Sequence, residues 1–404
     1  MRDSILSKSD LQTQPLELAP RMKGQGYARA EVARRREWAE ARAGCRLQHV
    51  GAFSIPSDEM RGNIENPIGA AQVPLGVAGP LAVNGERAQG TFYVPMATTE
   101  GALVRSYERG MVTLTRSGGV NARVVIDENR LSPVFLFSGV GDASEFARSL
   151  PEEFNAIRDA AESTTRRGRL LRVECQQVGR EVMVNFCYFT GDAHGMNMIV
   201  KATEQACKWI MSRSRAKHFY LFSGLCSEKR ASGALFAGGK GKKAVAGASL
   251  PAAVVRTHLH ATPQQLFDVW RHTLLGHTQA HAAGYNAHFA NGLAAIFIAC
   301  GQDVANVVNS AVGITHFELT DGGDLYASVT LPSLTVATVG GGTALGTSRE
   351  CLEMLGCAGD GKAVKFAEIV AASLLAGELS MGAAIASGEF VAAHETYGRN
   401  RPSE

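Results

Sequence analysis

At 404 residues the chain is longer than one hydrophobic core usually supports, which predicts two or three packed units. Its 41 Lys and Arg against 38 Asp and Glu leave a formal charge of +3, too balanced for a nucleic-acid or membrane-surface partner, so small-molecule ligands are expected. The eight cysteines form no CxxC pair and no Cys/His metal spacing, which predicts no metal site and a reducing, cytoplasmic compartment.

In chain order, the opening MRDSILSKSDLQTQ has no apolar run of the kind that precedes secretion, and no membrane part is expected. Residues 28 to 44 are rich in helix formers, with Ala28, Val32, Ala39 and Ala43 at helical spacing and Arg34, Arg35 and Arg36 on a solvated face. From Ile64 to Gly85, Pro67, Pro74 and Pro80 exclude a continuous helix, so turns and short strands mark a boundary there. In PMATTEGALVRSYERGMVTL, Thr98 or Thr99 can cap a helix whose apolar stripe is Leu103, Tyr107, Met111 and Leu114, with Glu100 in its first turn.

A strand, a helical segment near 143 to 164, two strands joined by a Gly turn and a helix from about Ala202 then follow. That order predicts a ferredoxin-like split βαβ unit over 132–221. From about 253 the chain reads as helices with strand-like THFELT and LYASVTL between them. The most apolar stretch, Phe366 to Val391, is interrupted by Glu368, Glu378 and Glu389 and reads as a buried helix. The fold class is α+β with discontinuous parts: a helical N-terminal domain at 1–64, a large mixed α/β domain from 65–131 and 230–404, the insert at 132–221, and a connecting loop at 222–229.

Several motifs can carry chemistry, and each has a structural alternative. TVGGGT (338–343) can close backbone N–H groups on a phosphate or serve as a plain turn; GGKGKK (238–243) lacks the phosphate-loop spacing. DAHGMNM (192–198) can meet a ligand or fill a core with its methionines. Lys229 can be a buried cation or a solvated lysine, Asp303 a tuned carboxylate or a helix end, and His394 an acid or an exposed tail residue.

Taken together, ENPIGAAQVPLGVAGPL, PMATTEGALVRS, GDAHGMNMIVKATE, FSGLCSEK, GYNAHFANGLAAIFIACGQD, TVGGGT and AGELSMGAAIASGEFVAAH resemble HMG-CoA (3-hydroxy-3-methylglutaryl-coenzyme A) reductase over about Tyr27 to Arg401. The wording is nearest the catalytic part of the eukaryotic and archaeal type. The resemblance implies that NADPH and HMG-CoA are the ligands, that mevalonate for isoprenoid biosynthesis is the product, and that the chain forms a homodimer or dimer of dimers with shared sites. It implies Glu100, Lys229, Asp303 and His394 as catalytic, Arg166, Asp192, Met196, Asn197, Gly340 and Gly341 as cofactor-binding, and Ser106, Arg109, Ser223, His288 and Asn291 as substrate-binding residues.

The chain also departs from the family. Glu228 stands where the family has Asp, Leu131 where it has a substrate arginine, with Arg130 one residue early, and Glu389 where it has a histidine. Competing readings are therefore a reductase of another acyl-CoA and a silent acyl-CoA-binding relative. In the leading reading Lys229 is a buried ammonium that meets the developing oxyanion, and Asp303 hydrogen-bonds both Lys229 and Glu100.

Overall fold

The structure is a computed structural model that describes residues 18–22, 24, 26–391 and 395. The chain divides into two units, Met1–Gln72 and Val73–Glu404.

In the first unit, helix α1 (Arg29–Ala43) stops at Gly44, whose φ of 64° is a left-handed conformation that glycine adopts without steric cost. Val32 turns inward as its spacing predicts, but Arg35 does so too, which corrects the expected solvated face of Arg34 to Arg36. Arg35 is only 1% exposed: its Nε donates to Pro67 O at 2.9 Å and its Nη2 to Gly26 O, so backbone carbonyls replace water around the charge.

In the second unit, β1 (Leu75–Asn84) and β2 (Gln89–Ala97) form an antiparallel hairpin. Helix α2 (Leu103–Arg116) buries Leu103, Tyr107, Met111 and Leu114, the stripe its periodicity predicts. The chain then continues through β3 (Asn121–Leu131), β4 (Val134–Leu136), α3 (Val140–Ser149), α4 (Phe154–Glu162), β5 (Arg169–Val178), β6 (Glu181–Phe189), α5 (Met196–Arg213) and β7 (His218–Tyr220). Strands β4 to β7 pair antiparallel in the order β7-β4-β6-β5, the split βαβ arrangement. The single helical segment expected near 143 to 164 is two helices, because Pro151 in the turn Leu150–Glu153 removes a backbone donor.

Strand β3 ties this insert to the larger half. Its end, Asn129 to Leu131, pairs with β6, while its earlier residues pair with β8 (Gly241–Leu250). The sheet continues to β10 (Leu325–Leu334) and β9 (Ile314–Leu319), both antiparallel. Each half keeps its own apolar cluster, one around Phe135, Phe186 and Ile199, the other around Tyr107, Phe289 and Leu374.

Helices α6 (Pro263–Gln279), α7 (Phe289–Ala299) and α8 (Ala363–Ser387) complete the larger half. By length and composition α8 could cross a membrane, yet 83% of its apolar window is buried inside the protein, so it is a core helix. Glycines let neighbouring backbones approach it. A Cβ at Gly110 would lie 2.0 Å from Ala376 O, and one at Gly377 would lie 2.5 Å from the Tyr107 ring.

This packing gives a prediction in which two effects oppose each other. Helix propensity favours Gly110→Ala by about 1 kcal/mol, but the clash with the α8 backbone costs about 1–3 kcal/mol or more. The variant is expected to be less stable in urea unfolding; a gain in stability would show that the helices have room to spare.

Candidate active site

Of the expected catalytic residues, Glu100, Lys229 and Asp303 lie in three described segments of the second unit. Glu100 follows β2 and precedes α2, which starts only at Leu103 after an uncapped Ala102 at φ 68°. The expected helix cap is thus corrected: Thr98 Oγ1 accepts from Glu100 N at 3.0 Å, closing a local turn two residues on in place of a cap. The Glu100 carboxylate accepts from Asn291 Nδ2 at 2.8 Å.

Asn291 lies in the first turn of α7, and the start of that helix is fixed from below. The buried Glu378 of α8 accepts from His288 N at 2.6 Å, Ala287 N at 3.0 Å and Thr315 Oγ1 at 2.7 Å. Burial pushes the Glu378 carboxyl upward, and these three donors oppose the shift by favouring the charged form. Tyr107 Oη donates to His288 O at 3.2 Å. Burial also holds the His288 imidazole below its ordinary value, against the pull of the Glu100 charge.

Lys229 Nζ meets Asp303 Oδ2 at 2.7 Å, and both side chains are 43% exposed in the single chain. Asp303 also caps the turn after α7 by accepting from Ala305 N at 3.1 Å. Burial would raise the Asp303 carboxyl, but the hydrogen bond and charge of Lys229 outweigh it and hold the group below its ordinary value. Glu100 is bonded to Asn291, and among the described residues no hydrogen bond joins it to Asp303 or Lys229. His394 lies outside the described residues.

Among the cofactor residues expected from sequence, Asp192 is tied to the loop that carries Gly340 and Gly341. Asp192 accepts from Gly361 N at 2.8 Å and Ala363 N at 2.9 Å, so its carboxylate caps the start of α8. Its carbonyl accepts from Thr338 N at 2.9 Å, which ties the 192–197 loop to the 338–343 loop. Gly340 and Gly341 sit at φ 82° and 56°, with open space where a Cβ would project. Gly340 lines a cavity of about 600 Å³ together with Thr338, Thr343, Arg349 and Gly356. Met196 opens α5, Asn197 is exposed beside it, and Arg166 is exposed next to Arg167, which pairs with Asp360 at 2.8 Å. Bare backbone, arginines and an open cavity suit a phosphate-bearing dinucleotide.

Other expected substrate residues are committed to the protein itself. Ser223 Oγ donates to Ser132 O at 2.7 Å, and Ser106 Oγ bonds Ser380 Oγ at 3.0 Å. Arg109 donates to Ser380 O at 2.7 Å and pairs with Glu389, which His260 also meets at 2.9 Å. Leu131 is fully buried in the insert's core, and Arg130 is 8% exposed.

Sequence reasoning does not single out the buried Glu368, Glu378 and Lys240 or the largely enclosed His194. It takes the two glutamates only as interruptions of an apolar run, Lys240 only as a failed phosphate loop, and His194 only as part of a turn. No local pattern flags them, because their partners are 50 or more residues away or belong to another loop.

The Hydroxymethylglutaryl-coenzyme A reductase family profile matches residues 31–399. The chain is 45% identical to 3-hydroxy-3-methylglutaryl-coenzyme A reductase of Methanocaldococcus jannaschii over 373 residues, 90% of this chain and 92% of that protein. It is 44% identical to the reductase of the same name from Pyrococcus horikoshii over 383 residues, 93% of each. Among solved structures, the class II reductase of Streptococcus pneumoniae, bound to NADPH in open conformations, shares the fold at a TM-score of 0.65 and 17% identity, covering 90% of this chain and 100% of that one. An α+β body with a split βαβ insert thus carries a lysine–carboxylate pair and a separate Gly-lined cavity, groups suited to an enzyme. The chain belongs to the hydroxymethylglutaryl-coenzyme A reductase family.

His194 supplies a pH prediction. Its side chain is 20% exposed, its Nε2 lies 3.8 Å from Glu228 Oε1, and burial pushes its pKa down to about 4. The unfolded chain, near the ordinary ~6.5, takes up the proton first, so the stability from neutral His194 is complete above pH ~6.5 and is lost as pH falls toward 4. The loss amounts to up to about 3 kcal/mol. Urea unfolding at pH 7 and pH 4.5 is expected to show a smaller acid loss in His194→Gln than in the parent; equal losses would refute it.

Proposed function

We propose that the chain catalyses the NADPH-dependent, four-electron reduction of HMG-CoA to mevalonate and CoA, through mevaldyl-CoA and mevaldehyde. The observation that carries this reading is the 2.7 Å pair of Lys229 and Asp303 in a chain of this family. Bound NADPH supplies a hydride for each of the two reductions. Arg166, Arg349 and the glycines at 340 and 341 are the groups that would hold it.

Each reduction puts negative charge on a carbonyl oxygen. The Lys229 ammonium meets that charge, and Asp303, 2.7 Å from it, aims it. When the C–S bond of the hemithioacetal breaks, the sulfur leaves as a thiolate, and His394 gives it a proton. Glu100, held by Asn291, gives the proton that turns the aldehyde oxygen into a hydroxyl. In this reading Ser106, Arg109, Ser223, His288 and Asn291 serve the substrate.

The reading includes a second copy of the chain. Lys229 and Asp303 are each 43% exposed in one chain, whereas charge stabilisation of this kind needs a site closed to water. The eight free cysteines fit a cytoplasmic enzyme.

Three measurements test the proposal. An assay that follows NADPH absorbance with a thiol reagent present is expected to consume two NADPH per CoA thiol released; a ratio of one would mean that reduction stops at the aldehyde. Lys229→Ala is expected to lose about 10²–10³ in kcat while still binding NADPH; substantial residual turnover would remove Lys229 from its role. Arg166→Ala is expected to raise the KM for NADPH far more than that for NADH, since a guanidinium suits the extra phosphate, and an equal effect on both would remove that assignment.

A further inference from the structure

The side chain of Lys240 is fully buried, yet it takes no part in the chemistry above. The glycines around it explain how a lysine comes to point inward. Gly238, Gly239 and Gly241 all have φ between 83° and 85°, and a Cβ at Gly241 would lie 2.6 Å from Leu334 O. The Lys240 carbonyl is fixed in turn by Ser333 Oγ at 2.7 Å.

The ammonium then reaches two separate segments. On one side it forms an ion pair with Glu228, the residue between Ser227 and Lys229. Ser227 and Lys229 have φ of 55° and 54°, a conformation that costs a residue with a side chain about 1–2 kcal/mol. Such a turn persists only where its surroundings hold it. On the other side Lys240 Nζ donates to Asn129 Oδ1 at 2.8 Å and lies 3.2 Å from Met196 Sδ. Asn129 Nδ2 donates to His194 O at 2.8 Å, so the 192–197 loop hangs on the same side chains.

Burial lowers the Lys240 pKa and Glu228 opposes that shift. The other charged or titratable neighbours are Arg130, Cys226 and the neutral His194. A buried ion pair is commonly no more stabilising than the apolar residues that could replace it. This one joins the two loops that the reaction requires.

We propose that Lys240 is a positioning residue for both loops: through Glu228 it sets the left-handed turn that presents Lys229 to Asp303, and through Asn129 and Met196 it sets the 192–197 loop against the dinucleotide. The inference rests on the reduction proposed above, in which Lys229 meets the oxyanion.

The test uses the full chain with Lys240→Met and with the double change Glu228→Gln, Lys240→Met. The single change strands a buried carboxylate and can compromise folding. The double change removes both charges, so its thermal midpoint is expected to stay near that of the parent. Its kcat is expected to fall about 100-fold, the effect of misplacing a reacting group by roughly 1 Å. Its Kd for NADPH by calorimetry is expected to rise about tenfold, the size of one lost buried hydrogen bond, with the KM for HMG-CoA changed less than about threefold.

A double variant with parental kcat and parental NADPH affinity would overturn the proposal. So would one whose kcat and NADPH affinity fall only as far as its folded fraction does. If the parent bound NADPH but did not oxidise it with HMG-CoA, the functional reading would fail, and the NADPH Kd of the same variants would still decide the role of Lys240.

Discussion

Two carboxylates buried on one apolar helix set the frame of the site. Glu368 and Glu378 both lie on α8, ten residues apart, 0% and 4% exposed. A carboxylate in such surroundings is costly unless donors replace its water, and each is met by backbone N–H groups from a different turn. Glu368 accepts from Glu86, Arg87 and Ala88 at 2.7 to 3.0 Å, which fixes the hairpin whose second strand delivers Glu100. Glu378 does the same for Ala287 and His288, which delivers Asn291. The Glu100–Asn291 bond therefore closes a circuit that begins at one helix.

The start of that helix belongs to the same scheme. Asp192 caps it and, through its carbonyl, holds the Gly-rich 338–343 loop. Asp192 thus brackets the groups around it. These bonds tie the core helix to the loops beside the 600 Å³ cavity. Strand β3 adds a second link, since its last three residues pair with the insert and the rest with the larger half.

The lysine side of the site is built differently. Left-handed residues at 227 and 229 and left-handed glycines at 238, 239 and 241 bend two loops toward each other, and charge holds them there. Carboxylates satisfied by backbone donors give a rigid floor, while the Lys229–Asp303 pair remains 43% exposed. Rigid support below and an accessible cation above is the arrangement a positioned reactive group needs.

Much of this was legible in the sequence because it is local. The stripe Leu103, Tyr107, Met111, Leu114 repeats at helical spacing, and the strand and helix order of 132–221 follows from alternation and turn residues. The family motifs were legible for the same reason, each being a short run. Local pattern misread Arg35 as solvated and Thr98 as a helix cap, and it passed over Lys240, Glu368, Glu378 and His194. Except at Thr98, whose partner Glu100 is local, a partner from another turn or a distant segment decided the outcome: Pro67 for Arg35, Glu228 and Asn129 for Lys240, Ala287 and His288 for Glu378, and the 86–88 turn for Glu368. The sequence by itself determined which segments are helix, strand or glycine turn, since backbone propensity and apolar spacing act over a few residues. Only the tertiary structure decided which charged groups are buried and what they hold, because the cost of burying a charge depends on donors and acceptors that meet only once the chain has folded.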